Sequence, residues 1–436
     1  MRTIPLVSLL LSLSAPACSS SAPPEPPGAV DTGDCHDANT PGCVVTSGAQ
    51  RITSPNVPSD HLTALVDGNT AFALDLYKNL RGEPGNLFYS PHSISSALAM
   101  TFAGARGQTE TDMAKALHFT LPQAELHPAF NALDLAFASR GKGAQGSDGQ
   151  GFRLNIANAV WGQVGFPFET AFLDVLGLNY GAGMNVVDYI EGTEEARSLI
   201  NGWVEKKTEG KIKDILPEGS IDASTRLVLT NAVYFNAAWR TPFEEENTQN
   251  ASFTTGEGGS VSVPMMQGYV EAPYAQGADY AAVELPYDGN ELSMVLVLPN
   301  DLDAFESSFD AARLSEVIGA LSEHSVDTRM PRFKFESKFS LVEQLKILGM
   351  GVAFTGEADL SGINGKGGLY ISDVIHQAFV GVNEAGTEAA AATAVIVGET
   401  SAPEPAAITF DKPFLFFIRD IATKSVLFVG RVVDPS

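Results

Sequence analysis

The chain has 436 residues, 44% of them hydrophobic and 18% charged, a globular composition long enough for a large core. Asp and Glu number 52 against 27 Lys and Arg, for a formal net charge of -25. That balance argues against nucleic acid as a partner, because phosphate binding needs clustered Lys and Arg, and against docking on anionic lipid through a basic patch.

The first element is an export signal over residues 1–18. Arg2 supplies a positive n-region, residues 4–13 form a short apolar run, and Ala15 and Ala17 are small residues suited to a cleavage site. The run is too short for a membrane span, which needs about 20 apolar residues. Cys18 follows Ala15-Pro16-Ala17, which resembles a bacterial lipoprotein cleavage box. The expectation is lipidation at Cys18 and a tether to the outer face of the cell envelope; the other reading is that Cys18 leaves with the signal and the protein is freely secreted. With Cys18 lipidated, Cys35 and Cys43 remain as a pair that an oxidising compartment would let close into a disulfide. Cys35, His36 and Cys43 make a poor zinc set, so no metal is expected. Residues 19–58, rich in Ser, Ala, Pro and Gly, read as a flexible spacer ahead of one domain over 59–436.

Helical spacing begins with Phe72, Leu76 and Leu80. Ser90-Pro91 opens a second helix: the Ser side chain accepts from free N–H groups, Pro suits the first helical position, and Ile94, Leu98 and Phe102 form the inward stripe. Residues 193–208 give another helix, with Ile200, Trp203 and Val204 inward and Gly210 as its stop. Residues 227–235 are apolar on both faces and predict a central strand, as do residues 292–298. Residues 414–418 and 425–429 flank a polar turn and predict a buried hairpin. Helices and strands mix without a βαβ rhythm, so the class is α+β in one large domain.

Enzyme signatures are missing: there is no Gly-x-Ser-x-Gly elbow, no His-Glu-x-x-His and no phosphate-binding loop. One segment stands out, running from Val382 to Ser401 after a strand-like stretch over 377–382. As a helix or loop it is only Ala-rich. As a strand, its alternate positions Thr387, Ala389, Ala391, Thr393, Val395 and Val397 are uncharged and small or β-branched, with Glu388 on the other face. Such a strand could enter the middle of a sheet without burying a charge on the core face.

With that segment on view, the chain resembles a serpin over nearly all of residues 62–434. The run Glu384-Ala385-Gly386-Thr387-Glu388-Ala389-Ala390-Ala391-Ala392-Thr393 matches the inhibitory hinge signature of that family. Ser90-Pro91-His92-Ser93-Ile94-Ser95, Thr230-Asn231-Ala232-Val233-Tyr234-Phe235 with Trp239, and Asp411-Lys412-Pro413-Phe414-Leu415-Phe416-Phe417-Ile418 match further motifs in order. The resemblance implies an α+β serpin fold with about three β-sheets, eight to nine helices and an exposed reactive loop. It implies a monomeric, cofactor-free inhibitor, not an enzyme, whose partner is a serine protease held in a covalent complex: the protease acylates itself on the loop, and the cut loop inserts as a new strand and traps it. A serpin-fold binding or chaperone protein is the alternative.

Insertion of about 14 residues costs roughly 1–2 kcal/mol each in backbone entropy, and hydrogen bonds return about 0.5–1.5 kcal/mol each. These nearly cancel, so one buried charge at Thr387, Ala389 or Ala391 could stall it. Counting forward from Glu384 at the family's loop length places the scissile bond at Thr400–Ser401, suited to elastase-like or subtilisin-like proteases. A shift of one residue presents Glu399 and selects glutamate-cleaving enzymes; counting back from Phe410 points nearer Ala402. The resemblance also implies a polar shutter cluster of Ser90, Ser93, Asn231 and His376 where the sheet opens. Above it, Trp239 would cover an Arg332–Glu384 ion pair at the breach; both charges could instead be solvated.

Overall fold

The computed structural model describes residues 37–146, 149, 151–388 and 405–436. Cys18, Cys35, Ala389, Ala390, Ala391, Ala392 and Thr393, and the Thr400–Ser401 bond with Glu399, lie outside the described residues.

Six helices come first: α1 (Ser59–Leu80), α2 (Pro91–Phe102), α3 (Gly107–Ala116), α4 (Gln123–Ala138), α5 (Thr170–Tyr180) and α6 (Thr193–Lys207). Four more, of four to ten residues, follow between positions 302 and 364. Ser90 caps α2 as its sequence requires, its hydroxyl accepting from Ser93 N at 3.3 Å ahead of Pro91.

A seven-stranded sheet runs in the order β1 (Val44–Val45), β4 (Met184–Val187), β3 (Arg153–Gln163), β5 (Leu227–Ala238), β13 (Gly386–Thr387), β12 (Asp373–Asn383), β11 (Phe333–Ser340). Nine strands form the second sheet: β14 (Ala406–Thr409), β10 (Ser322–Pro331), β7 (Ser260–Gln276), β8 (Tyr280–Pro286), β9 (Leu292–Pro299), β15 (Phe414–Asp420), β16 (Val426–Val432) and β2 (Leu87–Tyr89), with β6 (Gln249–Thr254) paired to β7. Where about three sheets were expected, hydrogen bonding joins these nine strands into one. The cause is β7, whose 17 residues pair β6 and β10 along most of their length and β8 at Tyr274–Gln276.

Strand β5 explains the layering. Its side chains alternate by the pleat: Leu229, Val233 and Phe235 join the main core with α1, α2 and the second sheet, while Val228 and Ala232 face a second cluster beneath α6 built on Trp161, Ile200 and Val204. The first sheet is thus buried on both sides at its centre, which is why the run over 227–235 is apolar throughout.

The expected spacer differs from the structure. From residue 37 onward the chain is docked on the domain. Val44 and Val45 pair with Asn185 and Met184, extending the sheet edge, and Ile52 N donates to Leu178 O at 2.9 Å. Arg51 Nε donates to Asn131 Oδ1 at 2.9 Å, and its guanidinium ion-pairs with Asp134 at 2.5 Å. Cys43 is buried and disulfide-bonded. Composition missed this because backbone pairing, one arginine and a few apolar contacts from Cys43, Val45 and Val57 do the docking. Arg51→Ala leaves the buried Asn131 carbonyl without that donor and should lower stability by about 1–3 kcal/mol in urea titration; unchanged stability would mean the strap adds nothing.

Candidate functional site

The site lies where β5 and β12 part. From Asp373 to Phe379, β12 pairs in parallel with Val228 to Tyr234. Above that closed seam the two strands separate, and β13 sits between them. Gly386 and Thr387 pair antiparallel with Asn383 and Val382 on one side and with Ala238 and Ala237 on the other. Gly386 has φ 154°, and a Cβ there would lie 2.1 Å from Ala237 O, so only glycine lets the chain turn back into the gap. Thr387 is buried, its hydroxyl 2.7 Å from that of Tyr287.

Trp239 and Tyr287 roof the gap, their rings stacked at 4.7 Å and 9° apart. Trp239 Nε1 donates to Asn383 O at 3.0 Å, and Trp239 N to Ala385 O at 2.9 Å. Beside them Glu384 is buried and its carboxylate is doubly held. Arg332 Nε reaches both oxygens at 2.7 Å, Arg332 Nη2 reaches Oε1 at 2.6 Å, and the Thr248 hydroxyl donates to Oε1. The Glu384 half of the pair is therefore out of solvent while Arg332 is 41% exposed, and the buried carboxylate without that guanidinium would be strongly unfavourable.

Beneath the closed seam lies a buried polar cluster. His376 Nε2 accepts from Ser90 N at 3.2 Å, so the ring proton sits on Nδ1 and is donated to Asn231 Oδ1. Asn231 Nδ2 donates to Ser93 Oγ and to Asn158 Oδ1, and Asn158 Nδ2 closes the cluster on Ser93 O at 3.0 Å. Burial pushes the His376 pKa down to about 3, so the ring is neutral, as the bond from Ser90 N requires.

Trp239, Arg332 and Glu384 are thus brought together, as are Ser90, Ser93, Asn231 and His376. Sequence reading missed Asn158, Tyr287 and Thr248. Asn158 had a signal: a lone amide between Ala157 and Ala159 on an alternating strand, directly opposite Asn231 in register. Tyr287 and Thr248 had none. No group of three or more His, Cys, Asp or Glu able to hold a metal occurs among the described residues.

The sequence profile described as Serpin (serine protease inhibitor) matches residues 67–435. The chain belongs to the serpin family. Human Serpin B3 is 38% identical over 399 residues, covering 86% of this chain and all of the relative. The leukocyte elastase inhibitor of Sus scrofa is 39% identical over 381 residues, covering 84% and 98%. Among solved structures, the thermophilic serpin tengpin in its native state superposes with a TM-score of 0.77 at 29% identity, covering 88% of this chain and 97% of tengpin. The protein is accordingly a serpin and not an enzyme, and the expected α+β fold stands.

Two further buried histidines share the condition of His376. Burial pushes His92 and His127 each down to about 4. Unfolded, each titrates near 6.5, so between the folded and unfolded values the unfolded chain binds more protons. Stability is then complete above pH 6.5 and falls as pH drops toward 3–4, by up to about 1.4 kcal/mol per pH unit per histidine. Urea titrations between pH 7.5 and 5 should show this slope. His92→Phe, on the ring that meets Phe137 edge-on at 4.8 Å, should reduce it by one proton; an unaltered slope would remove His92 from the account.

Proposed function

We propose that this serpin is a suicide-substrate inhibitor of serine proteases that cleave after small residues, with the scissile bond at Thr400–Ser401 and Glu399 as the alternative. The reading rests on one observation: Gly386 and Thr387 already occupy the gap between β5 and β12, antiparallel to both, while the strands below remain paired with each other. The loop has a seated leading end and a seam ahead of it that can open. Cleavage beyond the hinge would free the remaining residues to follow. Once inserted, the small uncharged side chains at 389, 391 and 393 would share the core-facing side with Thr387. Relatives named as leukocyte elastase inhibitors support a protease of the same preference here.

In this reading the Arg332–Glu384 pair and Trp239 register the hinge at the breach, and Ser90, Ser93, Asn231 and His376 with Asn158 form the shutter the seam must part over. The complex is covalent, one inhibitor to one protease. The leader exports the chain, with lipid at Cys18 as its tether and Cys35 as the partner of Cys43.

Incubation with pancreatic elastase or subtilisin should yield a complex that survives SDS, and the released C-terminal peptide should begin at Ser401. Thr387→Arg, which drives a charge into the contact with Tyr287, should be cleaved at the same bond without complex. Cleavage of the native protein by every such protease with no trapped enzyme would favour the non-inhibitory alternative. Cys18→Ala should move the protein from the membrane fraction to the soluble one; an unchanged distribution would remove the lipid.

A further inference from the structure

Strand β13 ends after two residues because Glu388 leaves the extended region, with φ 53°. That conformation is costly for a residue with a side chain unless its surroundings hold it. Here they do. Lys211 Nζ ion-pairs with the Glu388 carboxylate, Asn236 Nδ2 donates to Glu388 O at 2.6 Å, and Glu388 N donates to Gly381 O at 2.5 Å. The Lys211 ammonium also lies 5.6 Å from the centre of the Tyr234 ring.

Lys211 belongs to the connection between α6 and β5. Ile212, Ile215 and Leu216 of that connection are buried with the α6 cluster against the sheet, and Asp214 O accepts from Lys338 Nζ of β11 at 2.8 Å. The connection therefore crosses the sheet face on the side opposite the Tyr287 contact of Thr387. Thr387 contacts Tyr287 of the main core, whereas the Glu388 carboxylate meets Lys211 of that connection.

We propose that Lys211 is a positioning residue for loop insertion. By gripping the Glu388 carboxylate it keeps residue 388 in its left-handed pose and arrests the uncut hinge at Thr387. Further entry requires residue 388 to become extended and its carboxylate to leave Lys211. The inference rests on the insertion mechanism proposed above. Neighbouring Lys213 pairs with Glu205 at 3.2 Å instead and supplies an internal control.

The test follows intact protein held at elevated temperature and reads the rate at which it converts to the heat-hardened form with a higher Tm. Lys211→Met and Glu388→Gln should each convert about two- to five-fold faster than the native protein, and the double variant no faster than either single one. Lys211→Arg should restore the slow rate, and Lys213→Met should leave it unchanged. Because the Lys211 side chain is 38% exposed, salt raised from about 0.05 M to about 1 M should speed the native protein and not Lys211→Met. A native rate in Lys211→Met, or single effects that multiply in the double variant, would overturn the proposal. Native protein nicked in the loop separates the two failures. A Tm that rises on nicking, beside a native rate in Lys211→Met, sinks the grip alone. A Tm that stays put sinks insertion and the grip together.

Discussion

The molecule depends on one seam of backbone hydrogen bonds, the parallel pairing of β12 from Asp373 to Phe379 with β5 from Val228 to Tyr234. Parallel pairs are slightly weaker per residue than antiparallel ones. Strand β13 is antiparallel to both neighbours. In the proposed insertion, each step of its advance would exchange one parallel seam for two antiparallel ones. In the native arrangement that seam is closed, and in the proposed function the groups around it decide when it opens.

In the proposed insertion, what must cross the seam limits what the loop can carry. On the core side Tyr287 meets Thr387, and Phe235 and Val233 line β5 beyond it, apolar surroundings in which a charge would be costly. On the other side α6 and the connection behind it cover the same strands. Under the seam, buried Asn231, Ser93 and His376 and half-buried Asn158 satisfy one another in one network. Such a network is strong when complete and costly when broken, so parting the strands there disturbs more than one hydrogen bond. At the breach, the buried Glu384 carboxylate gives registry: with Arg332 and Thr248 it fixes where the strand turns back, two residues ahead of Gly386.

The amino-terminal strap completes the opposite edge. By pairing Val44 and Val45 with β4 it covers backbone groups that would otherwise leave an open sheet edge, a liability in any β-rich protein. Arg51 then fastens the strap to α4 through Asn131 and Asp134. The sheet is consequently guarded along one border.

Much of this was legible in residue order alone. Apolar periodicity placed α1 and α6, Ser90-Pro91 announced α2, and an apolar run identified β5, because burial on one or two faces writes a period into the chain. Gly386 and Thr387, at the start of the small-residue hinge, do form a strand inside the sheet. Pairings between distant residues carry no such period. That Asn158 faces Asn231, that Thr248 helps hold Glu384, that Tyr287 stacks on Trp239, and that a Ser- and Pro-rich leader docks through Arg51 are settled by where the folded backbone brings unlike segments. Sequence determined the small, uncharged side chains of the hinge; only the tertiary structure decided that β13 ends at Thr387, because the residue after it is held in a left-handed turn by partners 152 and 177 positions away.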